Sequence, residues 1–197
     1  MSKSRNTNKF FIWRGAIGVI ILAPAVLLGF FRYFTVAKNI YWWLISDIAG
    51  WLFFSCGIAL RLWGALYVGG RKDDCLVTEG PYSICRNPIY LGSFCLMLSV
   101  GFFLKSIIIL SAIVIMFVIY ALGTIAAEEK FLSQRFQESY KQYCARTPRL
   151  LPRFKNFNSP EKIEVNLKAF SKEVKKTIGW VFLPIFTAIL AFIYATK

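Results

Sequence analysis

Apolar residues along the chain form long runs that are separated by short polar and basic segments. A helix that crosses a bilayer needs about 20 predominantly apolar residues, because each residue advances the helix by about 1.5 Å. Five runs come near that length and are predicted to be transmembrane helices: residues 11–31, 41–68, 89–104, 107–127 and 178–195. The pattern therefore predicts an all-α integral membrane protein with a single membrane domain over residues 1–197.

The connections between the runs refine this topology. Lys105 is almost the whole connection between the third and fourth runs, which are therefore predicted to form a tight helical hairpin.

The run over residues 11–31 follows a basic N-terminus, a pattern that is also typical of a secretory signal peptide. That run is long for a signal peptide and no small-residue cleavage site follows it, so we interpret it as a retained span.

The segment between the fourth and fifth runs, residues 128–177, has its own helical pattern. Aromatic and apolar residues recur at helical spacing from Glu128 to Tyr143, and Pro148 is expected to end this amphipathic helix. A second amphipathic stretch, residues 163–177, is basic and is predicted to lie in the membrane interface. We therefore expect residues 128–177 to form a helical catalytic segment at the cytoplasmic side.

Charge supports this topology and limits the partners. The chain has 197 residues, of which 57% are hydrophobic, with a mean hydropathy of +0.54 and a net charge of +14. This charge lies between apolar runs, which favours a lipid bilayer over nucleic acid as the partner. Most Lys and Arg residues fall in the N-terminal tail, residues 69–88 and residues 128–177, so these pieces are predicted to be cytoplasmic. A bacterial inner membrane and the endoplasmic reticulum both fit.

The absence of histidine restricts the chemistry. Without imidazole, the chain has no His-ligated metal, no His general base and no Ser-His-Asp triad. The five cysteines form no Cys-x-x-Cys pair, which predicts free thiols. We therefore expect no metal site.

Two polar clusters are candidates for the site. One covers residues 79–92, where a Gly-Pro turn leads to Arg86-Asn87-Pro88 at the start of the third run, with Asn87 as a predicted N-cap. The other is Glu128-Glu129 at the end of the fourth run. The predicted hairpin places this cluster at the same membrane level as the first one. Taken singly, each cluster also has a structural explanation. The tyrosines are typical of residues that anchor a helix at the membrane interface, and the glutamates are typical of a solvated helix end.

Together the clusters resemble a known family. The pattern is Gly80-Pro81-Tyr82-x-x-x-Arg86-Asn87-Pro88-x-Tyr90-x-Gly92, a helical hairpin, Glu128-Glu129, Phe136, Tyr140-x-x-Tyr143 and Pro148-Arg149-x-x-Pro152. In order and spacing it resembles the isoprenylcysteine carboxyl methyltransferases and phospholipid methyltransferases, which are integral membrane enzymes. The resemblance covers residues 77–154. It implies methyl transfer from S-adenosylmethionine to a lipid-like, prenylated or otherwise amphiphilic acceptor at the cytoplasmic face.

The resemblance also implies roles for individual residues. The residues implied to bind S-adenosylmethionine are Tyr82, Arg86, Asn87, Pro88, Tyr90, Leu91, Gly92, Glu128 and Glu129. Those implied to act in catalysis are Arg86, Glu129 and Arg146. The chain has no Gly-x-Gly-x-x-Gly element, so the soluble dinucleotide-type methyltransferase fold is not expected.

The chain departs from the family pattern at two places. Asn87 stands where the family commonly has His, and residues 123–127 lack the Arg that isoprenylcysteine enzymes tend to carry before the two glutamates. The alternatives for contacting an acceptor carboxylate are Arg61, Arg146 and Arg149. Arg61 lies within a predicted span, which suits either a functional charge or a side chain that reaches the interface.

Two other functions stay open from the sequence. One is an NADPH-dependent sterol- or steroid-type membrane reductase, which would differ in its cofactor. The other is a non-catalytic membrane scaffold whose site has decayed.

Overall fold

The structure is a computed structural model that describes residues 40–69 and 75–195, and these contain helices and loops but no strand. Its elements are α1 (Ile40–Val68), α2 (Pro81–Ile84), α3 (Pro88–Phe103), α4 (Ile107–Tyr120), a π-helical turn (Ala121–Ile125), α5 (Ala126–Arg146), a 3-10 turn (Phe154–Asn156) and α6 (Leu167–Ala195). The predicted span over residues 11–31 lies outside the described residues.

Helices α1 and α3 pack closely along the length of α3. Three glycines make this approach possible, and their seven-residue spacing places them on one face of α1: Gly50, Gly57 and Gly64. A Cβ atom on Gly57 would lie 2.9 Å from the carbonyl oxygen of Gly92 on α3 and 2.7 Å from the Leu96 side chain. Leu96 is fully buried, and with Phe54 and Phe103 it forms the core between these helices.

The turn between α3 and α4 agrees with the predicted tight hairpin. Lys105 adopts a φ of 51° in this turn, and Ser106 caps α4 by accepting a hydrogen bond from the backbone of Ile109 at 3.3 Å. The Lys105 ammonium lies 2.6 Å from the carboxylate of Asp47 on α1. The aspartate that interrupts the second apolar run therefore has a partner at this end of the helices.

The fourth run continues without a break into the amphipathic segment. Helix α4, the π-helical turn and α5 follow one another from Ile107 to Arg146, so the helix does not end at residue 127. It bends at Gln137, whose φ is 40°, and ends before Thr147-Pro148 as predicted. Glu128 and Glu129 therefore lie inside a long helix, where no free carbonyl groups oppose their charge.

The basic amphipathic stretch and the last run are likewise one helix, α6. The Asn166 side chain caps its start by accepting a hydrogen bond from the backbone of Ala169 at 3.0 Å. Because α6 contacts both α1 and α3, it closes a bundle around the cytoplasmic end predicted for these helices.

Among the described residues, two helices are long and apolar enough to cross a membrane: residues Tyr41–Val68 and Ile107–Arg146. Helix α3 is apolar but has only 16 residues. Large apolar side chains on α1, α4 and α6 are exposed, as a lipid-facing surface requires. The all-helical architecture agrees with the predicted fold class, whereas five spans and their orientation stay predictions.

Candidate active site

The two polar clusters meet where α3 begins and α5 begins. The Tyr90 hydroxyl donates a hydrogen bond to Glu128 at 2.5 Å, and the Asn87 amide donates one to Glu129 at 3.1 Å. Asn87 occupies the N-cap position of α3, but its side chain makes no capping hydrogen bond. The cap prediction was therefore wrong for the side chain, because the Asn87 amide binds across to α5 instead.

Backbone contacts hold the Gly-Pro-Tyr turn against the segment that follows α5. The Arg86 amide donates to the Pro148 carbonyl at 2.9 Å, and the Arg153 amide donates to the Ile84 carbonyl at 2.9 Å. The Tyr143 hydroxyl donates to the Tyr82 carbonyl at 2.8 Å. The separate pieces of the sequence motif are thus one structural unit.

Glu129 lies at the centre of an ion-pair network. Its carboxylate is 2.9 Å from the Arg149 guanidinium and 3.6 Å from that of Arg86. Arg149 also donates to the carbonyl of Ala121 in the π-helical turn at 3.0 Å. π-helical turns interrupt the regular hydrogen-bond ladder and often occur at functional sites. Glu129 therefore joins α3, α5 and the segment after α5.

Burial and charge shift the pKa values of several groups around this network. Burial lowers the pKa of Arg86, but Glu129 and then Cys144 raise it, so the net pKa lies above the usual value. Burial, followed by the charge of Glu128, raises the pKa of the Tyr82 phenol, and burial likewise raises that of Tyr143. These phenols therefore stay neutral hydrogen-bonding groups.

A cavity of about 690 Å³ opens beside the network. Its polar wall includes Tyr82, Arg86, Tyr90 and Glu128, and its apolar wall comes from residues deeper along α3 and α4. On α3 the residues that line the cavity recur at helical spacing: Asn87, Tyr90, Ser93 and Met97. One face of α3 thus leads from the charged end of the cavity to its apolar end.

The structure places the predicted site residues in three groups. Those that line the cavity are Tyr82, Arg86, Asn87, Pro88, Tyr90 and Glu128. Glu129 lies behind them in the ion-pair network. Leu91, Gly92 and Arg146 do not line the cavity, since Gly92 packs against Gly57 and Arg146 is exposed at the end of α5. For these three, the predicted contact with a ligand has no support in the cavity's geometry.

Several cavity residues were missed by the sequence reasoning. Glu173 and Lys176 come from α6, which the motif did not reach. Ser93 and Met97 continue the helical spacing of Asn87 and Tyr90, a signal that was present in the sequence. Arg61 also lines the cavity. For Arg61 the sequence left two alternatives, a functional charge and a side chain that reaches the interface, and its place in the cavity is compatible with the first.

The cavity combines a carboxylate and phenols at one end with apolar side chains at the other. Such a site suits a small polar ligand beside an amphiphile. Among residues 40–69 and 75–195, no three or more Cys, Asp or Glu residues lie together in a way that could hold a metal ion.

Comparison with known proteins gives two similar metal-resistance proteins. The cobalt-zinc-cadmium resistance protein CzcN of Cupriavidus metallidurans is 31% identical over 125 residues, which are 64% of this chain and 57% of that protein. The nickel-cobalt-cadmium resistance protein NccN of Alcaligenes xylosoxydans xylosoxydans is 29% identical over 179 residues, 88% of this chain and 78% of that protein. The match therefore spans little more than half of the CzcN protein.

No solved structure matches the chain significantly. A family model described as phospholipid methyltransferase matches residues 38–139, which is about half of the chain and includes α1, both polar clusters and the hairpin between them. The chain belongs to the phospholipid methyltransferase family.

Proposed function

We propose that the protein transfers a methyl group from S-adenosylmethionine to a lipid-like amphiphile at the cytoplasmic face of its membrane. The observation that carries this proposal is the cavity, in which Glu128 and Tyr90 at one end are continuous with Met97, Met116 and Phe117 at the other. A polar cofactor and an apolar acceptor chain can therefore lie in one space. Family membership supports the reaction type.

The donor groups of the cavity fit this cofactor. S-adenosylmethionine carries an ammonium, a sulfonium and a ribose diol, all of which favour a carboxylate partner. Glu128 offers that carboxylate, and Tyr90 holds it through a 2.5 Å hydrogen bond. The volume of about 690 Å³ lies within the range of about 300–1,000 Å³ for small-ligand sites.

Glu129 takes a different part in this proposal. Because Arg86, Arg149 and Asn87 surround its carboxylate, Glu129 positions the loop that carries Arg86 rather than binding the ribose itself. Arg86 lines the cavity. It remains the best candidate for orienting the acceptor beside the cofactor.

The reaction needs little acid-base chemistry from the protein. When bound, S-adenosylmethionine supplies a methyl group on a positively charged sulfur. The chain's own residues bind the two molecules, align them and exclude water, which are the main contributions of an enzyme to a displacement reaction. A site without histidine is therefore sufficient.

We further propose that the chain is one multi-pass membrane domain with five spans and a cytoplasmic N-terminus. The exposed apolar faces of α1 and α4 and the concentration of basic residues after α5 support this orientation. The acceptor would enter from the bilayer, and the cofactor from the cytosol.

The names of the relatives concern resistance to metal ions. In this proposal, a contribution to such resistance would come through methylation of a membrane component.

Calorimetric titration with S-adenosylhomocysteine tests the proposal on the full chain in mild detergent. We expect saturable binding that Glu128→Gln abolishes and that Glu138→Gln, an exposed position on the same helix, leaves unchanged. Binding of NADPH instead would favour a reductase. Binding of neither ligand by a folded sample would favour a non-catalytic scaffold.

A further inference from the structure

A third polar cluster, formed by Arg61, Ser93 and Glu173, lines the same cavity and joins three helices. Arg61 on α1 donates to the Ser93 hydroxyl on α3 and to the Glu173 carboxylate on α6. The side chains of Arg61 and Glu173 are only 15% and 14% exposed. Neither Ser93 nor Glu173 belongs to the sequence motif, and the proposed function gives this cluster no role.

Arg61 has donor capacity beyond these two bonds. A guanidinium carries five N–H groups in a planar fork, which suits the paired oxygens of a carboxylate or phosphate. The Nε atom of Arg61 is buried and meets no hydrogen-bond partner within the described part of the chain. Buried donors without a partner are rare in native proteins. An oxygen ligand at this position would satisfy the donor.

The charges of the cavity differ between its two ends. Lys176 lies 3.7 Å from Glu173 and also lines the cavity, although it is mostly exposed. Arg61 and Lys176 thus face the single negative charge of Glu173, whereas the other end presents Glu128 together with Arg86, whose charge is paired with Glu129 behind it. The end at Arg61 is therefore suited to an anionic group, and the end at Glu128 to a cationic one.

The positions along α3 give the order of these features. Ser93 is three residues beyond Tyr90, about 4.5 Å along the helix axis. Met97 follows about one turn later, and it faces the cavity together with Phe117 of α4. A basic contact therefore lies between the polar cofactor end and the apolar wall.

We propose that Arg61 and Ser93 bind an acidic group, a phosphate or a carboxylate, on the amphiphilic acceptor. The acceptor's chain then lies against Met97 and Phe117, and its acidic group replaces Glu173 as the partner of Arg61. Glu173 keeps Lys176 as a partner when it is displaced. This inference rests on the proposed function, and it makes Arg61 a residue that determines acceptor specificity.

Photolabelling tests this binding without the cofactor. The full chain in phosphatidylcholine nanodiscs is titrated with an octyl phosphate that carries a diazirine. We expect saturable labelling, with a half-saturating concentration raised about tenfold or more in Arg61→Gln, as for loss of a charge-assisted hydrogen bond. Glu173→Gln should lower that concentration, because it removes the competing carboxylate. A purely structural ion pair would not shift the two variants in opposite directions.

Three controls define the result. Arg153→Gln, at an exposed position outside the cavity, should label as the unaltered protein does. The matching diazirine octanol should not saturate, and inorganic phosphate should not displace the label, because neither combines the charge with the chain. Equal labelling in Arg61→Gln and Glu173→Gln, or displacement by inorganic phosphate, would overturn the inference.

The same samples are titrated with S-adenosylhomocysteine. Its binding by Arg61→Gln shows that this variant is folded. If the cofactor analogue binds but labelling does not depend on Arg61, the acceptor contact is wrong and the methyl-transfer proposal stands. If the analogue does not bind the unaltered protein, the proposed function itself is wrong.

Discussion

The guanidinium of Arg149 lies 2.9 Å from the carboxylate of Glu129 and also donates a hydrogen bond to the Ala121 carbonyl. This arrangement ties the segment after α5 back to the π-helical turn just before α5. Arg149 lies between Pro148 and Arg153, whose backbones contact the segment that contains the Gly-Pro-Tyr turn. The ion pair therefore supports the wall of the cavity from behind. Arg149 is thus a positioning residue of the site.

Replacing either member of this pair should weaken both the fold and the cofactor site. We expect Arg149→Gln to lower the free energy of unfolding by about 1–3 kcal/mol, since it leaves a partly buried carboxylate with one cation fewer. Glu129→Gln should cost a similar amount. If the residues act as a pair, the double variant will lose at least about 0.5 kcal/mol less than the two single losses combined. Strictly additive losses in denaturant unfolding would contradict the coupling.

Replacing Tyr90 should weaken cofactor binding without affecting the fold. Its hydroxyl orients Glu128, so Tyr90→Phe removes one charge-assisted hydrogen bond from that carboxylate. We expect the affinity for S-adenosylhomocysteine to fall about tenfold, with little change in thermal stability. Ser139→Ala, at an exposed position on α5, is the control. Unchanged affinity in Tyr90→Phe would mean that its hydroxyl does not orient Glu128 for binding.

The convergence of the two polar clusters could be predicted because it depends on local rules. A hairpin with a one-residue connection places its outer ends together, and Asn87 and Glu129 occupy those ends. The role of Glu129 was harder to predict. The charge pattern did not indicate that Arg149, rather than Arg146, turns towards it, because that depends on how the chain folds back after Pro148.

Long-range contacts explain the other residues that were missed. Glu173 lies on α6, and no short sequence pattern relates it to Arg61. The helix that continues through residues 121–146 was also divided too early, because polarity changes at residue 128 while the backbone remains helical. Hydropathy locates a membrane boundary and not the end of a helix.

Cys85 should be the least reactive thiol outside the helices. Burial raises its pKa from 9.0 to about 11, and its thiol donates a hydrogen bond to the Leu150 carbonyl at 3.2 Å. At neutral pH the reactive thiolate is therefore scarce. Maleimide should modify Cys75, which is exposed, well before Cys85 in the native protein. Peptide mapping measures both rates, and equal rates would contradict the burial of Cys85.

The same pKa shift predicts a loss of stability in alkaline solution. Below pH 9 the thiol is protonated in both the folded and the unfolded chain, so its contribution is constant. Between pH 9 and about 11 the unfolded chain ionises at Cys85 while the folded chain does not, which favours unfolding. The melting temperature should therefore fall less over this range in Cys85→Ala than in the unaltered protein. Parallel pH profiles for the two would contradict the assignment.

The close packing of α1 on α3 gives the sharpest test of the fold. A methyl group at Gly57 would lie 2.9 Å from the Gly92 carbonyl oxygen, and backbone atoms cannot move aside as a flexible side chain can. We expect Gly57→Ala to lower the free energy of unfolding by about 1–3 kcal/mol, as overpacking does, despite the better helix propensity of alanine. Because α3 carries Tyr90 and Ser93, its displacement should also weaken ligand binding.

Gly179 on α6 is the matched control, since within the described part of the chain no atom from outside the adjoining helix backbone lies within 4 Å of the Cβ position there. Gly179→Ala should leave stability unchanged or raise it by up to about 1 kcal/mol through helix propensity alone. Chemical denaturation in one detergent compares the two variants directly. If Gly57→Ala is as stable as Gly179→Ala, α1 and α3 do not pack through Gly57, and the position assigned to Arg61 beside Ser93 fails with it. If only Gly57→Ala is destabilised, the packing that places Arg61 in the cavity stands.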